Sequence, residues 1–447
     1  MSEKKKMRPI TKFFIGAGVG TVIGLIFLLV VLGINGQLEF HSFGSEPIAG
    51  QNESNEILPV ESFSEGYAVV KLGGQFGYID TKGNLAIPIQ FDEAESFKNG
   101  IAKVKINNGD EVYDAYINTT GQVVFDYRDY EDKYTEIYNC SEGLIGVSKY
   151  FEGSYNQEPY TAYGYINLQG EEVIPLQREW SFWPEWKYSS YEEYLDISTH
   201  PDDAPMDFHE GGAFVCWNDG NDVWALINTS GGIINDSIYL EELRQHFSNG
   251  IAIVVPEDGR SKRNFYLLTS DGRETNVDTI QQGGLKFGRY EEGLIAYYDY
   301  GGLNLKDTRE EHLTQGYINE QGKLVIDFSE YSECELSDFS DGMAPIIFIG
   351  KDGKEYCTYL DKSGQFLIEP QSKYVYEPII GGYGTWLEVG TDTIYIVDEN
   401  FNILTDGISI DTSFGVDNFS DGYFLTKING KETFIDINGN PLEISKE

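Results

Sequence analysis

The sequence predicts an all-β repeat protein, a propeller-like array of small antiparallel sheets preceded by one N-terminal transmembrane helix. Three observations carry this: a composition rich in strand and turn formers, a glycine-centred hairpin signal that recurs along the chain, and one long apolar run near the start. In 447 residues there are 31 Tyr, 26 Phe and 50 Gly but only 4 Met. Aromatic residues suit pleated strands, and glycine suits the tight turns between them.

Residues 1–12 hold Lys4, Lys5, Lys6, Arg8 and Lys12 and read as a cytoplasmic basic tail. From Phe13 to Ile34 the chain is uncharged and apolar, about the 20 residues that an α-helix needs to cross a bilayer. The transmembrane helix is placed at 13–35. Basic residues before it and acidic sequence after it put the N-terminus in the cytoplasm and the remainder outside, as a single-pass protein of the cell membrane. A cleaved signal peptide is the competing reading. The run exceeds the 7–15 residues of a typical signal core, which favours retention. Gly16, Gly20 and Gly24 share one helix face and would let two such helices pack as a dimer. Residues 36–58, polar and without apolar periodicity, read as a linker.

Self-similarity organises residues 59–447. One signal is a ring or polar residue, two small polar residues, a glycine and an apolar strand. It occurs as Phe63-Ser-Glu-Gly66, Phe97-Lys-Asn-Gly100, Cys140-Ser-Glu-Gly143, Phe247-Ser-Asn-Gly250, Tyr290-Glu-Glu-Gly293, Phe339-Ser-Asp-Gly342 and Phe419-Ser-Asp-Gly422, with weaker copies at Gly212 and Gly382. The other is an aromatic and apolar strand ending in Asp or Asn and then a turn, with Asp80, Asn118, Asn167, Asn228, Asn319, Asp361, Asp398 and Asp436 in equivalent places. A side-chain oxygen there can accept from the backbone two residues on, and a following glycine closes the hairpin. About nine units of strand, loop, strand, turn and strand result. At about 40 residues per unit a propeller-like ring is expected, with an open β-solenoid or arc as the alternative.

These residues resemble the bacterial WG-repeat family, also called KWG repeats. The stretch 63–97 follows that pattern nearly throughout, and the family's Trp-Gly or Tyr-Gly pair stands as Phe76-Gly77, as Tyr163-Gly164 and, degraded, as Gln315-Gly316. The resemblance covers about 60–445. It implies extracytoplasmic β-repeats and brings no catalytic residues.

The formal net charge is −41. Such a surface repels phosphate backbones, so nucleic acid is excluded as a partner. The same acidity keeps strand edges soluble and unpaired. Five histidines fall in no metal-binding spacing, and no GxSxG elbow or P-loop is present. Asp436-Ile-Asn438-Gly-Asn440 imitates a calcium loop but lacks the bidentate glutamate that closes one. No catalytic residue, metal or cofactor is assigned. Cys140, Cys216, Cys334 and Cys357 lie far apart and read as small core residues, with one long-range disulfide as the alternative.

An aromatic insertion, 177–210, interrupts the repeat between the third and fourth units. It carries Trp180, Trp183, Trp186, Tyr188 and Tyr191, three of the chain's 6 tryptophans among them. Long loops on rigid scaffolds are where binding residues gather, and aromatic side chains make good anchors. The bland alternative is a lid that packs on neighbouring units. The expectation is a membrane-anchored binding module for an envelope protein or a cell-wall glycan, without catalysis. A passive scaffold or spacer of the envelope is the alternative, and a carboxylate-dependent glycan-active enzyme a second one.

Overall fold

The computed structural model describes residues 56–154, 158–182, 206–217, 223–240, 242–255, 265–277, 285–299, 314–331 and 334–445. The basic tail, the transmembrane segment and most of the linker lie outside the described residues, as do Trp183, Trp186, Tyr188 and Tyr191. Among the described residues, no helix is long and apolar enough to cross a membrane.

Nine sheets follow one another along the chain, each antiparallel with its strands in sequential order. The first unit sets the pattern with β1 (Leu58–Pro59), β2 (Tyr67–Leu72), β3 (Gln75–Asp80) and β4 (Leu85–Phe91). Six further sheets also have four strands; the seventh has three and the ninth two.

Each central strand is buried on both faces, which is why it reads as a continuous apolar run. In β2, Val69 faces the second unit together with Tyr78, against Phe97, Ala102 and Val104. Its neighbours Ala68 and Val70 point the other way, against Leu425 and Phe434 of the ninth unit. The same arrangement recurs at every junction. Nine apolar clusters result, one between each pair of consecutive sheets and one between the last and the first.

The array therefore closes on itself, and the open arc is excluded. The closing junction is polar as well as apolar. Ser62 Oγ donates to Asp417 Oδ2 at 2.7 Å, Ser420 Oγ to the Phe63 carbonyl at 2.6 Å, and the Tyr423 hydroxyl to the Thr81 carbonyl at 2.9 Å. No strand is exchanged across it, because the first sheet is wholly N-terminal and the ninth wholly C-terminal.

The glycine of the aromatic-Gly pair has a steric cause. A Cβ on Gly77 would lie 2.8 Å from the Ile87 carbonyl oxygen, and one on Gly164 would lie 2.6 Å from that of Ile174. The fourth strand bulges toward the third at these points. At these two bulges an added side chain would meet the neighbouring backbone. Ala115, Ala225, Tyr266 and Tyr395 hold the position in the second, fourth, fifth and eighth units, whose sheets keep a fourth strand, whereas the sheets with Thr358 and Thr433 have none. Gly164→Ala is expected to lower stability by about 1–3 kcal/mol through this overpacking, seen as a reduced urea midpoint. An unchanged midpoint would refute the steric account.

Candidate functional site: the aromatic insertion and the hairpin rim

The insertion does not sit between units. Trp180 and Ser181 form the first strand of the fourth sheet, pairing with Trp217 and Cys216. Residues 183–205 thus branch from inside that unit, between its first strand and the hairpin at Glu210–Gly211. The repeat signal of this unit is Phe208-His-Glu-Gly211. Gly211 rather than Gly212 holds the turn, at φ 82°, and Gly212 already pairs with Asn228.

Both roots of the insertion are buried in one cluster. Phe182 packs among Tyr138, Tyr163 and Tyr165 at ring separations of 5.0–5.2 Å. On the returning side Phe208 meets Tyr165 edge-on at 5.0 Å, and the Tyr165 hydroxyl donates to the Met206 carbonyl at 2.9 Å. The Phe208 amide donates to Ser141 Oγ at 2.7 Å. Trp180, expected as a ligand contact, is only 5% exposed in this core. Its indole is packed in the core beside the strand that it pairs with.

The strand-ending Asp and Asn residues all shape turns. Asp80, Asn118, Asn167, Asn228, Asn319, Asp361, Asp398 and Asp436 each accept, through Oδ1, from the amides two and four residues on. Bonds from Ser363 and the local amides hold the Asp361 carboxyl below its ordinary value. Asp436 is committed to Asn438 and Asn440, and the described residues contain no group of three or more side chains suited to a metal.

Sequence reasoning did not detect a second use of carboxylates. All nine hairpins between first and second strands have two left-handed residues, the second always glycine. In six of them the first is acidic, and its side chain reaches the next hairpin. Glu65 accepts from the amides of Asn99 and Gly100 at 2.7 and 2.8 Å, and Glu210 from those of Asn249 and Gly250 at 2.8 and 2.6 Å. Glu142 reaches Gly211, Glu292 reaches Gly342, Asp341 reaches Gly382, and Asp421 reaches Gly66 across the closure. The remaining three hairpins begin with Asn99, Asn249 and Gly381. The signal was present, as an acidic residue before six of the nine repeat glycines, but its partner lay one unit away.

Tyrosines add a parallel set of links. The hydroxyls of Tyr78, Tyr317 and Tyr359 donate to the carbonyls of Glu95, Ser337 and Glu377 in the following units, at 2.8, 2.7 and 2.7 Å. Burial raises all three phenols above their ordinary range. The four cysteines are free thiols, so the disulfide alternative is overturned. Burial pushes the Cys140, Cys334 and Cys357 thiols up to about 12, which keeps them protonated at neutral pH.

Fold and surface together define an all-β repeat protein whose turn and tyrosine side chains serve to join its units. Residues 76–109, 163–177 and 316–354 match the model of the WG containing repeat. A comparison with curated proteins finds no match. Similar solved structures include Porphyromonas gingivalis dipeptidyl peptidase 4, at 11% identity and TM-score 0.37, covering 78% of this chain and 58% of that one. Prolyl oligopeptidase B from Galerina marginata is similar at 10% identity and TM-score 0.31, covering 75% and 55%. The β-propeller domain of the Trilobed protease from Pyrococcus furiosus is similar at 10% identity and TM-score 0.28, covering 70% and 96%. The chain thus spans little more than half of the two peptidases, and likeness at these scores carries no inference about activity.

Two outcomes test the electrostatic picture. Glu210→Ala removes the acceptor for two backbone amides and is expected to cost about 1–2 kcal/mol, read as a lower urea midpoint. Burial pushes the Glu377 carboxyl up to about 7, above its value in the unfolded chain. The folded state therefore holds a proton that the unfolded state has lost, and stability falls as pH rises from about 4 to 7. Glu377→Gln should abolish that fall, so its gain over the parent is larger at pH 8 than at pH 4. An equal gain at both would reject the assignment.

Proposed function

We propose that the protein is a membrane-anchored, extracytoplasmic interaction module without catalytic activity, which binds an envelope protein or a cell-wall glycan. The observation that carries this reading is the rooting of the insertion. A closed ring of nine small sheets interrupts one unit with residues 183–205, and both ends of that excursion are fixed in a buried aromatic cluster. Trp183, Trp186, Tyr188 and Tyr191 belong to it. Rigid scaffolds that carry one long aromatic loop suit recognition, because the scaffold is ordered before binding.

The apolar run at 13–35 and the basic residues before it support anchoring with the ring outside the cytoplasm. The Gly16, Gly20 and Gly24 face supports pairing of two such helices. The reading without chemistry rests on the roles already taken by the candidate groups: turn carboxylates accept from backbone amides, and the Cys140, Cys334 and Cys357 thiols are protonated.

The test is binding of the full chain in detergent to peptidoglycan, a glycan array and envelope extract, beside a Trp183→Ala, Trp186→Ala, Tyr188→Ala, Tyr191→Ala variant. Trp180 is left intact because its loss would damage the fourth sheet. Binding by the parent that falls at least tenfold in a variant of unchanged thermal midpoint is the expected result. Equal binding by both would remove the insertion from the site, and no binding by either would leave the passive scaffold.

A further inference from the structure

The seventh unit departs from the repeat in two linked ways. Where the first, third, fourth and fifth units have Phe76, Tyr163, Trp224 and Phe265, it has Cys357; where three units have the close-approach glycine, it has Thr358. The threonine side chain stands where the fourth strand would press in, and its Oγ1 donates to the Ile368 carbonyl at 2.6 Å. The outer segment forms no continuous fourth strand: it pairs with the third at two isolated bridges, Leu360 with Phe366 and Cys357 with Gln371, and the Leu367 amide donates to the Tyr359 carbonyl at 2.8 Å. With a small residue in place of an aromatic one, space is left beside it.

That space is a surface cleft of about 280 Å3 between the seventh and eighth units. Its walls include Tyr356 and Tyr374, with Ile347, Val375 and Val389 between them. Both rings are held in place. Tyr356 stacks on Phe348 at 5.9 Å and donates its hydroxyl to Asp352 at 3.0 Å. Tyr374 packs against Trp386 and Tyr395 at 5.6 and 5.5 Å, and its oxygen accepts from Lys373 Nζ at 2.5 Å. Held in this way, both rings line the cleft. At the rim, the Glu355 carboxylate and the Ser372 hydroxyl make no side-chain hydrogen bond to another described residue, and Lys354 is paired with Asp352.

We propose that this cleft binds a sugar ring of an uncharged glycan. Its volume of about 280 Å3 lies just below the range of small-ligand pockets, about 300–1,000 Å3, and suits one or two pyranose rings rather than a longer ligand. A pyranose has C–H faces that pack on aromatic rings, whose faces are electron-rich, and an equatorial edge of hydroxyls that both donate and accept. Glu355 accepts from such hydroxyls, and Ser372 does either. An anion is opposed by Glu355 and by the net negative surface. A purely apolar side chain would leave the rim groups without partners. None of the residues that line the cleft belongs to the aromatic insertion, and its ligand class does not depend on what the insertion binds.

The test is titration of the full chain in detergent with chitotetraose, cellotetraose and the peptide acetyl-Leu-Tyr-Leu-amide, followed by calorimetry and by tryptophan fluorescence, since Trp386 lies against Tyr374. Saturable binding of a tetrasaccharide is expected, weakened at least tenfold by Tyr374→Ala. Cys357→Phe, which restores the aromatic residue that four units hold, should abolish binding while the thermal midpoint stays within a few degrees of the parent. The quadruple insertion variant should bind the tetrasaccharide as the parent does, which separates failure here from failure of the insertion site. No saturable sugar binding, binding of the peptide alone, or binding unchanged in both Tyr374→Ala and Cys357→Phe would overturn the proposal.

Discussion

Everything in this fold depends on each sheet being buried on both faces by its neighbours. A three- or four-stranded unit has too little apolar surface facing one way to be stable alone. Val69 serves one junction while Ala68 and Val70 serve the other, so each strand is shared between two cores. An end unit would leave one such face in water. Closure removes both ends at once, which explains why Leu425 and Phe434 of the last sheet repeat the packing role of interior residues.

This constraint leaves a clear division of labour within the repeat. Positions on the central strands are fixed by packing, and the strand-ending Asp or Asn by its own turn. The acidic residue that six hairpins carry and the third-strand tyrosines Tyr78, Tyr317 and Tyr359 are used across the boundary, one to a backbone amide and the other to a backbone carbonyl. Departures from the pattern then stand out. The fourth unit lengthens the path between its first strand and its hairpin, and the seventh exchanges an aromatic-Gly pair for Cys357-Thr358. Sites of that kind, where local rules are broken within an otherwise consistent array, are where function is expected.

Much of the fold was legible because the repeat wrote it many times. The nine units, their strand order and the turn role of Asp80 and its equivalents follow from short-range spacing. What escaped the sequence is long-range. Phe182 and Met206 are separated by the insertion yet share a core, so the break appeared to fall between units rather than inside one. Trp180 looked like part of an exposed aromatic loop because its strand has only two residues and pairs with Trp217, far along the chain. Closure depended on contacts between residues near 60 and near 425, which no local period encodes. The cleft beside Cys357 was invisible because a missing side chain matters only where its neighbours fail to fill the gap.

The carboxylates of the hairpin rim have a mechanical consequence. The three hairpins that begin with Asn99, Asn249 and Gly381 belong to the second, fifth and eighth units, so every third link of the rim is missing. The ring is thus laced into three stiff arcs of three units, separated by seams where the rim carries no ionic tie. The meeting point of the two chain ends falls inside an arc, tied by Asp421 and Glu65 on either side of Gly66. The closure, formed by residues at opposite ends of the sequence, thus carries a hairpin bond that the junctions after the second, fifth and eighth units do not show among the described residues.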